Sequence, residues 1–404
     1  MKKRNCNKNC KMNFAAKYLH FFRCITLVLV ISTNSILAQN TKSLPNKTSK
    51  ISFKDSIDGA FDISEFLLEP EGFLPVPIII TEPALGYGGG LAALFLTPQK
   101  KEYDIPVPPN ISGIIGLGTS NKTWMAALFH FHVWGPDKIR YFGMIAKPNI
   151  NIKYYGNNND FLSKNPVEFN LDAWYLLQRV NVRIAKTNLF LGGSYIYFKG
   201  NTKFDPFPNN PIFEKLLADL NGKSTISMIR PMANFDSRDN IFTPINGINS
   251  GIEFSYNATW LGADNTYHQI NPYFIGYKKI TENISSAIRF DGNFMFGDAP
   301  FYAKPFINLR GVPAMKYQSD NTMLIETEWK FNVYNRWSLN FFTGTGKAFQ
   351  SFNEFNPAIW VYNYGLGFRY TLSKLFGIDA GIDFAWSNNK DFAFTIVFGS
   401  AWNR

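Results

Sequence analysis

Along most of this chain, bulky apolar side chains alternate with small or polar ones. The last stretch shows it plainly: Phe392, Phe394, Ile396 and Phe398 lead toward Trp402, with Ala393, Thr395, Val397, Gly399 and Ala401 between them. A strand sends successive side chains to opposite faces, so one face here is bulky and greasy and the other thin. Neither face carries charge. A soluble sandwich puts bulk inward and charge outward, whereas a bulky face toward lipid and a slim face toward a lumen fit this pattern. The strand from 322 repeats the split. Glu326, Glu328, Lys330 and Asn332 share one parity, and Ile325, Thr327, Trp329, Phe331 and Val333 the other. In the strand from 123, Phe129, Phe131 and Val133 alternate with His130 and His132, which are expected to be a lumen-facing polar pair.

From Leu74 onward such segments recur between turn signals. Sixteen strands are predicted, starting near 75, 85, 110, 123, 139, 166, 188, 224, 247, 266, 284, 322, 336, 360, 376 and 391. Spanning strands need only about 9–11 residues, and an even count with both ends on one side is the bacterial pattern. The fold class is therefore all-β, a transmembrane antiparallel β-barrel. Tight turns, as at Gly135-Pro136-Asp137 and Ser387-Asn388-Asn389, are placed at one end. Longer connections at 156–165, 200–223, 297–321 and 347–359 are placed at the other. Within 200–223, Asn210, Pro211, the amphipathic run Ile212 to Leu220, and Gly222 spell a short capped helix. The Pro-rich stretch 97–109 is the one long turn at the opposite end.

Composition agrees. The chain of 404 residues is 46% hydrophobic, 17% aromatic and 18% charged, below the roughly 25% charge of average proteins. Beyond the leader, no run approaches the ~20 apolar residues a spanning helix needs. In hydrocarbon every backbone polar group needs a partner, and besides helices only a closed sheet supplies one.

Residues 1–38 read as a secretory signal. Lys2, Lys3, Arg4, Lys8, Lys11, Lys17 and Arg23 form a basic region, followed by the apolar run Cys24 to Ile31 and a cleavage site near Ala38. The basic region is long, so Met12 is an alternative start. Cys6, Cys10 and Cys24 all lie in this segment, which leaves the mature chain without thiols for a disulfide or thiolate site. The net charge of +11 shrinks too: removing seven of 41 basic residues leaves 34 against 30 acidic, about +4. That is too little to argue for nucleic acid. Residues 39–72 form a short polar lead-in, and the barrel is expected over 73–404.

Three segments together resemble the bacterial surface antigen superfamily, the BamA/TamA-type outer-membrane barrels. The first is Leu309-Arg310-Gly311-Val312 with Tyr317 and Asp320-Asn321, similar to the Arg-Gly motif on that family's loop after strand eleven. The second is Phe235-Asp236-Ser237-Arg238-Asp239-Asn240 with Pro244 and Gly247, similar to its turn between strands eight and nine. The third is Gly365-Leu366-Gly367-Phe368-Arg369-Tyr370 with Gly381-Ile382-Asp383-Phe384-Ala385 and the closing strand. The opening Pro75-Val76-Pro77 to Pro83-Ala84-Leu85-Gly86 is similar to the start of such barrels.

The resemblance implies a loop folded back into the lumen, with Arg310 paired to Glu328 on the wall. The family adds an aspartate on the next strand, where this chain has Phe342-Thr343-Gly344-Thr345-Gly346; Asp383 or Glu326 would compensate. Phe394, Phe398 and Trp402 are the expected C-terminal strand signal, although Asn403 and Arg404 follow. The lead-in is too short for a POTRA domain. The implied role is assembly, insertion or translocation of proteins or lipid at the outer membrane. Its partners would be lipopolysaccharide or phospholipid, the outer-membrane assembly machinery and separate periplasmic proteins. The alternatives are a passive porin-like channel for small solutes and a structural or adhesive surface protein.

Catalysis is not expected. His130 and His132 lack a nameable third metal ligand. Gly344-Thr345-Gly346-Lys347 lacks the leading glycine and following Ser or Thr of a phosphate loop. Gly86, Gly88, Gly89 and Gly90 suit a bent early strand. No Gly-x-Ser-x-Gly elbow occurs. No cofactor is expected.

Overall fold

A computed structural model describes residues 52–65, 72–97, 110–156, 160–204, 220–240, 242–388 and 391–402. The secretory leader, most of the Pro-rich stretch and, except for Leu220, the helix signature at 212–220 lie outside the described residues. The rest is one sheet of sixteen antiparallel strands in sequential order. They are β1 (Gly72–Ile80), β2 (Gly88–Thr97), β3 (Asn110–Thr119), β4 (Trp124–Trp134), β5 (Ile139–Tyr154), β6 (Val167–Arg183), β7 (Leu189–Phe204) and β8 (Gly222–Asp236). Then follow β9 (Gly247–Asn257), β10 (Tyr267–Lys279), β11 (Ile284–Gly297), β12 (Asn321–Tyr334), β13 (Trp337–Phe349), β14 (Val361–Ser373), β15 (Ile378–Ser387) and β16 (Phe392–Phe398). One short helix, α1 (Asp160–Lys164), interrupts the β5–β6 connection. Every predicted strand is present and starts within three residues of its expected position. Period-2 patterning over so many hairpins leaves little freedom for another arrangement.

The outer face is an apolar belt. Leu128, Trp134, Ile145, Trp174, Trp329 and Phe341 are all exposed. Outward charge on β5–β7 appears only from the level of Trp174 onward, at the Lys147–Asp172 pair and at Lys153, Glu168, Lys199 and Lys203. Those strands run 16 or 17 residues, longer than a bilayer requires. Their ends project beyond the hydrocarbon, where a charged outer face carries no penalty. On β16, Phe392 and Phe398 are exposed while Ala393 and Val397 are buried, as the alternation demands.

Two expectations fail. On β4 the parity is inverted: Phe129, Phe131 and Val133 are buried at 6%, 1% and 1% exposure, while His130 and His132 share the outer face with Leu128 and Trp134. The reason is the connection 298–320, which brings Phe301, Tyr302, Phe306, Ala314 and Met315 into one apolar cluster with these residues and with Ile150, Phe169, Phe198 and Phe204. The inner wall of β2–β8 is thus a packed core, where bulk belongs inside. Most of the polar interior lies in the other half. The histidines instead join an interfacial aromatic group, with His132 4.3 Å from the Trp134 ring and His130 Nδ1 2.9 Å from Ser112 Oγ. The second failure concerns the tight turns. Gly135-Pro136-Asp137 joins β4 to β5, and the turn at 388–391 joins β15 to β16. An odd number of strands separates them, so they sit at opposite ends.

Candidate functional site

The connection between β11 and β12 is long enough to hang free, yet residues 301–303, 305–307 and 311–315 are buried. Its aromatic half packs against β5–β8: Phe301 lies 4.8 Å from the Tyr154 ring and 5.0 Å from that of Phe169. Its basic tip reaches β12–β15. Arg310 donates to Glu326 Oε1 at 3.1 Å, to Glu328 Oε2 at 2.5 Å and to Asp383 Oδ2 at 2.9 Å. The structure thus brings together Arg310, Glu328 and both compensating acids. Phe342 of β13 lies opposite Glu328 in the ladder. Its ring centroid is 3.5 Å from the guanidinium carbon. A flat, weakly hydrated cation suits both the acids and the ring face.

Neighbours complete the cluster. Arg289 pairs with Glu326 at 3.0 Å, and Arg369 with Asp383 at 2.7 Å. Asn363 donates to Glu326 and to the Arg310 carbonyl, both at 2.9 Å. Gly311, at φ +83°, is required here: a Cβ would sit 2.9–3.0 Å from the Ala385 backbone and side chain.

Trp402 departs from its expected placement. β16 ends at Phe398, and Gly399 at φ +73° turns the chain out of the strand. Trp402 is therefore 4% exposed and donates from Nε1 to Glu326 Oε2 at 2.7 Å. It closes the ion cluster instead of extending the outer aromatic row that Phe398 ends. Phe394 stays outside and stacks on Tyr87 at 5.6 Å.

The β8–β9 turn is self-bonded. Arg238 forks onto Asp236 with two 2.8 Å bonds. Asp239 accepts from the Ile245 and Asn246 amides, both at 3.1 Å. Gly247 has φ +103°. The turn then reaches distant strands: Asn240 donates to the Phe376 carbonyl at 2.8 Å, and the Phe242 carbonyl accepts from the Ser400 amide at 2.5 Å. Pro244 borders a small cavity shared with Glu328, Lys330, Arg369 and Asp379.

Between β1 and β16, among the described residues, no ladder forms, although every sequential pair from β1 to β16 has one. β1 includes Pro75 and Pro77 within an unbroken ladder to β2. β1 is therefore continuous and starts at Gly72, three residues ahead of its expected start near 75. Proline has no N–H to give a ladder. Since the ladder to β2 runs through both prolines, their nitrogens face the other edge, which is left short of donors. A cavity of about 350 Å³ opens at this seam, lined by Leu74, Val76, Ile78, Ile396 and Val397 among others. The 298–320 connection touches both flanks: the Ala314 amide donates to Glu82 at 3.3 Å, and Lys316 Nζ reaches both Asp391 oxygens at 2.6–2.7 Å.

Sequence reasoning missed the docking of the lead-in. Arg336, in the β12–β13 turn, holds Asp55 and Asp58 at 2.9 Å and Asp62 at 2.6 Å. Ser64 Oγ lies 2.8 Å from Ser373 Oγ. Three acids spaced three and four apart beside a polar segment were the available signal. The Arg336 hydrogen bond holds the Asp58 carboxyl well below the usual carboxylate range. Burial raises Asp62, but hydrogen bonds from Ser64 and Arg336 outweigh it, and its pKa is also lowered.

Two outcomes follow from these contacts. Arg310→Ala strands Glu328 but leaves Glu326 and Asp383 their other arginines, so the loss should fall near the lower end of the ~3–5 kcal/mol seen for broken buried pairs. Heat-modifiable gel migration should shift to lower temperature, and migration identical to wild type would contradict the pin. Arg336→Ala should release the lead-in, raising tryptic cleavage after Lys54 by about tenfold as local opening becomes easier. Carboxylates with depressed folded pKa values stabilise docking above the unfolded pKa of ~4, and this is lost as pH falls below it. A dye on Ile57→Cys, at a site 87% exposed, should keep its anisotropy from neutral pH to about 4 and lose it only below.

No family model matches the chain, and no curated protein sequence matches it. Solved structures do. BamA from Haemophilus ducreyi lacking POTRA domains 1–3 is similar at 11% identity and TM-score 0.54, over 80% of this chain and 69% of that one. CdiB from Escherichia coli is similar at 8% identity and TM-score 0.53, over 80% and 61%. CdiB from Acinetobacter baumannii is similar at 8% identity and TM-score 0.52, over 81% and 59%. The chain thus spans about three-fifths of the length of either CdiB. At such identities the likeness is one of fold, and the fold of this chain is the sixteen-stranded barrel of the BamA and CdiB structures.

Proposed function

We propose that this chain is a non-enzymatic outer-membrane barrel that assembles, inserts or translocates polypeptide or lipid by parting at the seam between β1 and β16. The observation that carries this is the seam itself. Fifteen ladders hold the cylinder and the sixteenth is missing. One of its edges is depleted of donors by Pro75 and Pro77, and the two flanks are joined by side-chain contacts and by the loop that Arg310 anchors. Such contacts open at far lower cost than a full ladder. The leader read from residues 1–38 supports export to the outer membrane, and the belt supports residence there. Lipopolysaccharide or phospholipid, the assembly machinery and separate periplasmic proteins are the partners this role implies.

A passive channel would need an open bore, and the buried 298–320 connection argues against one. Planar-bilayer recordings should show small, flickering conductance; a large steady conductance would favour the channel.

The seam reading is tested by closing it. Tyr87→Cys with Phe394→Cys places the two thiols of an otherwise cysteine-free mature chain on opposite flanks. A short thiol-reactive crosslinker should abolish rescue of the phenotype caused by loss of the gene, while the uncrosslinked double variant rescues. Full rescue by the crosslinked protein would refute lateral opening.

A further inference from the structure

Away from the clamp and the seam, one row of the inner wall carries polar atoms without partners. The row crosses five strands. Arg179 of β6 is the ladder partner of Ser194 of β7, and Ser194 that of Arg230 of β8. Arg230 donates from Nε to Ser255 Oγ of β9 at 2.8 Å, and Ser255 is the ladder partner of Gln269 of β10. Arg230, Ser194 and Gln269 are 1%, 7% and 2% exposed, and Tyr267 beside them is fully buried.

Arg179 Nε, Ser194 Oγ, Arg230 Nη1, Gln269 Nε2 and Tyr267 Oη are all buried and have no hydrogen-bond partner. Three of these can only donate, and the two hydroxyls can do so. One orphan acceptor, Asn181 Oδ1, lies two residues along β6. Charge is skewed the same way. Two guanidinium groups share this stretch with one carboxylate, Glu253, at 3.6 Å from Arg230 Nη1 and too long for a good hydrogen bond.

Buried donors demand acceptors. A water molecule would accept from some of these groups, but it brings two hydrogens that need acceptors of their own. An anion accepts on every side and also balances the spare positive charge. We infer that Ser194 and Arg230, with Arg179 and Gln269 at their flanks, form a binding site for a small inorganic anion inside the barrel, a halide or a tetrahedral oxyanion. This site is independent of whether the seam opens.

The test uses the full mature chain folded in detergent. Its unfolding midpoint is followed by heat-modifiable migration in sodium gluconate at fixed ionic strength, while chloride or inorganic phosphate replaces gluconate. The midpoint should rise and saturate, and the anion that saturates at the lower concentration identifies the occupant. Arg179→Gln and Ser194→Ala should weaken the half-saturating concentration at least tenfold, with the midpoint in gluconate little changed. Arg230→Gln should abolish the response if it folds; the two milder variants decide the matter if it does not. If the oxyanion saturates first, crystals grown with selenate, and otherwise crystals grown with bromide, should show an anomalous peak beside Arg230. A midpoint that follows ionic strength alike in wild type and variants, or the absence of that peak, would overturn the site.

Discussion

Hydrocarbon offers no hydrogen-bond partner, and that single constraint shapes this molecule. It forces the backbone into one sheet closed upon itself, and it gives every strand a greasy outer face. Against that demand the gap between β1 and β16 stands out. The strands beside it cannot complete a ladder at Pro75 and Pro77, and what spans the gap is made of side chains: Tyr87 on Phe394, and a loop bonded to Glu82 on one flank and Asp391 on the other.

That loop is held by charge. Arg310 sits among three acids in a setting where removing water is expensive, so the cluster is favourable only because nearly every member is doubly engaged. Glu326 illustrates this, accepting from Arg310, Arg289, Asn363 and Trp402. Such networks specify one arrangement more than they add stability. The arrangement specified here ties β11–β15, the C-terminus and the crossing loop into one unit beside the weak seam. Arg336 does the same at the rim that carries the β4–β5 turn, where the lead-in's three aspartates gather.

Much of this was legible from residues alone. Alternation located the strands because a strand's side-chain period is short and repeats in every hairpin. Arg310 and its acids were legible through the resemblance carried by Leu309-Arg310-Gly311-Val312, and Glu328 and Glu326 sit on the charged parity of their strand, as that pairing needs. The His130 parity was not legible, because Phe129 and Phe131 suit a lipid face and a packed interior equally well. Only the arrival of Phe301, Tyr302 and Met315 decides between them. The fate of Trp402 was hidden for a similar reason: its spacing continues the outer row, and a single left-handed glycine cancels it.

Local patterning therefore determined the strands, their order and the apolar outer skin, since each depends on neighbours within a few residues or one hairpin. Tertiary structure alone decided which face of β4 turns inward, that the C-terminus folds under Arg310, that Arg336 captures the lead-in and that β1 stays unpaired with β16. Each of these joins groups tens to hundreds of residues apart. Their energy comes from burial and charge pairing that no sequence window contains.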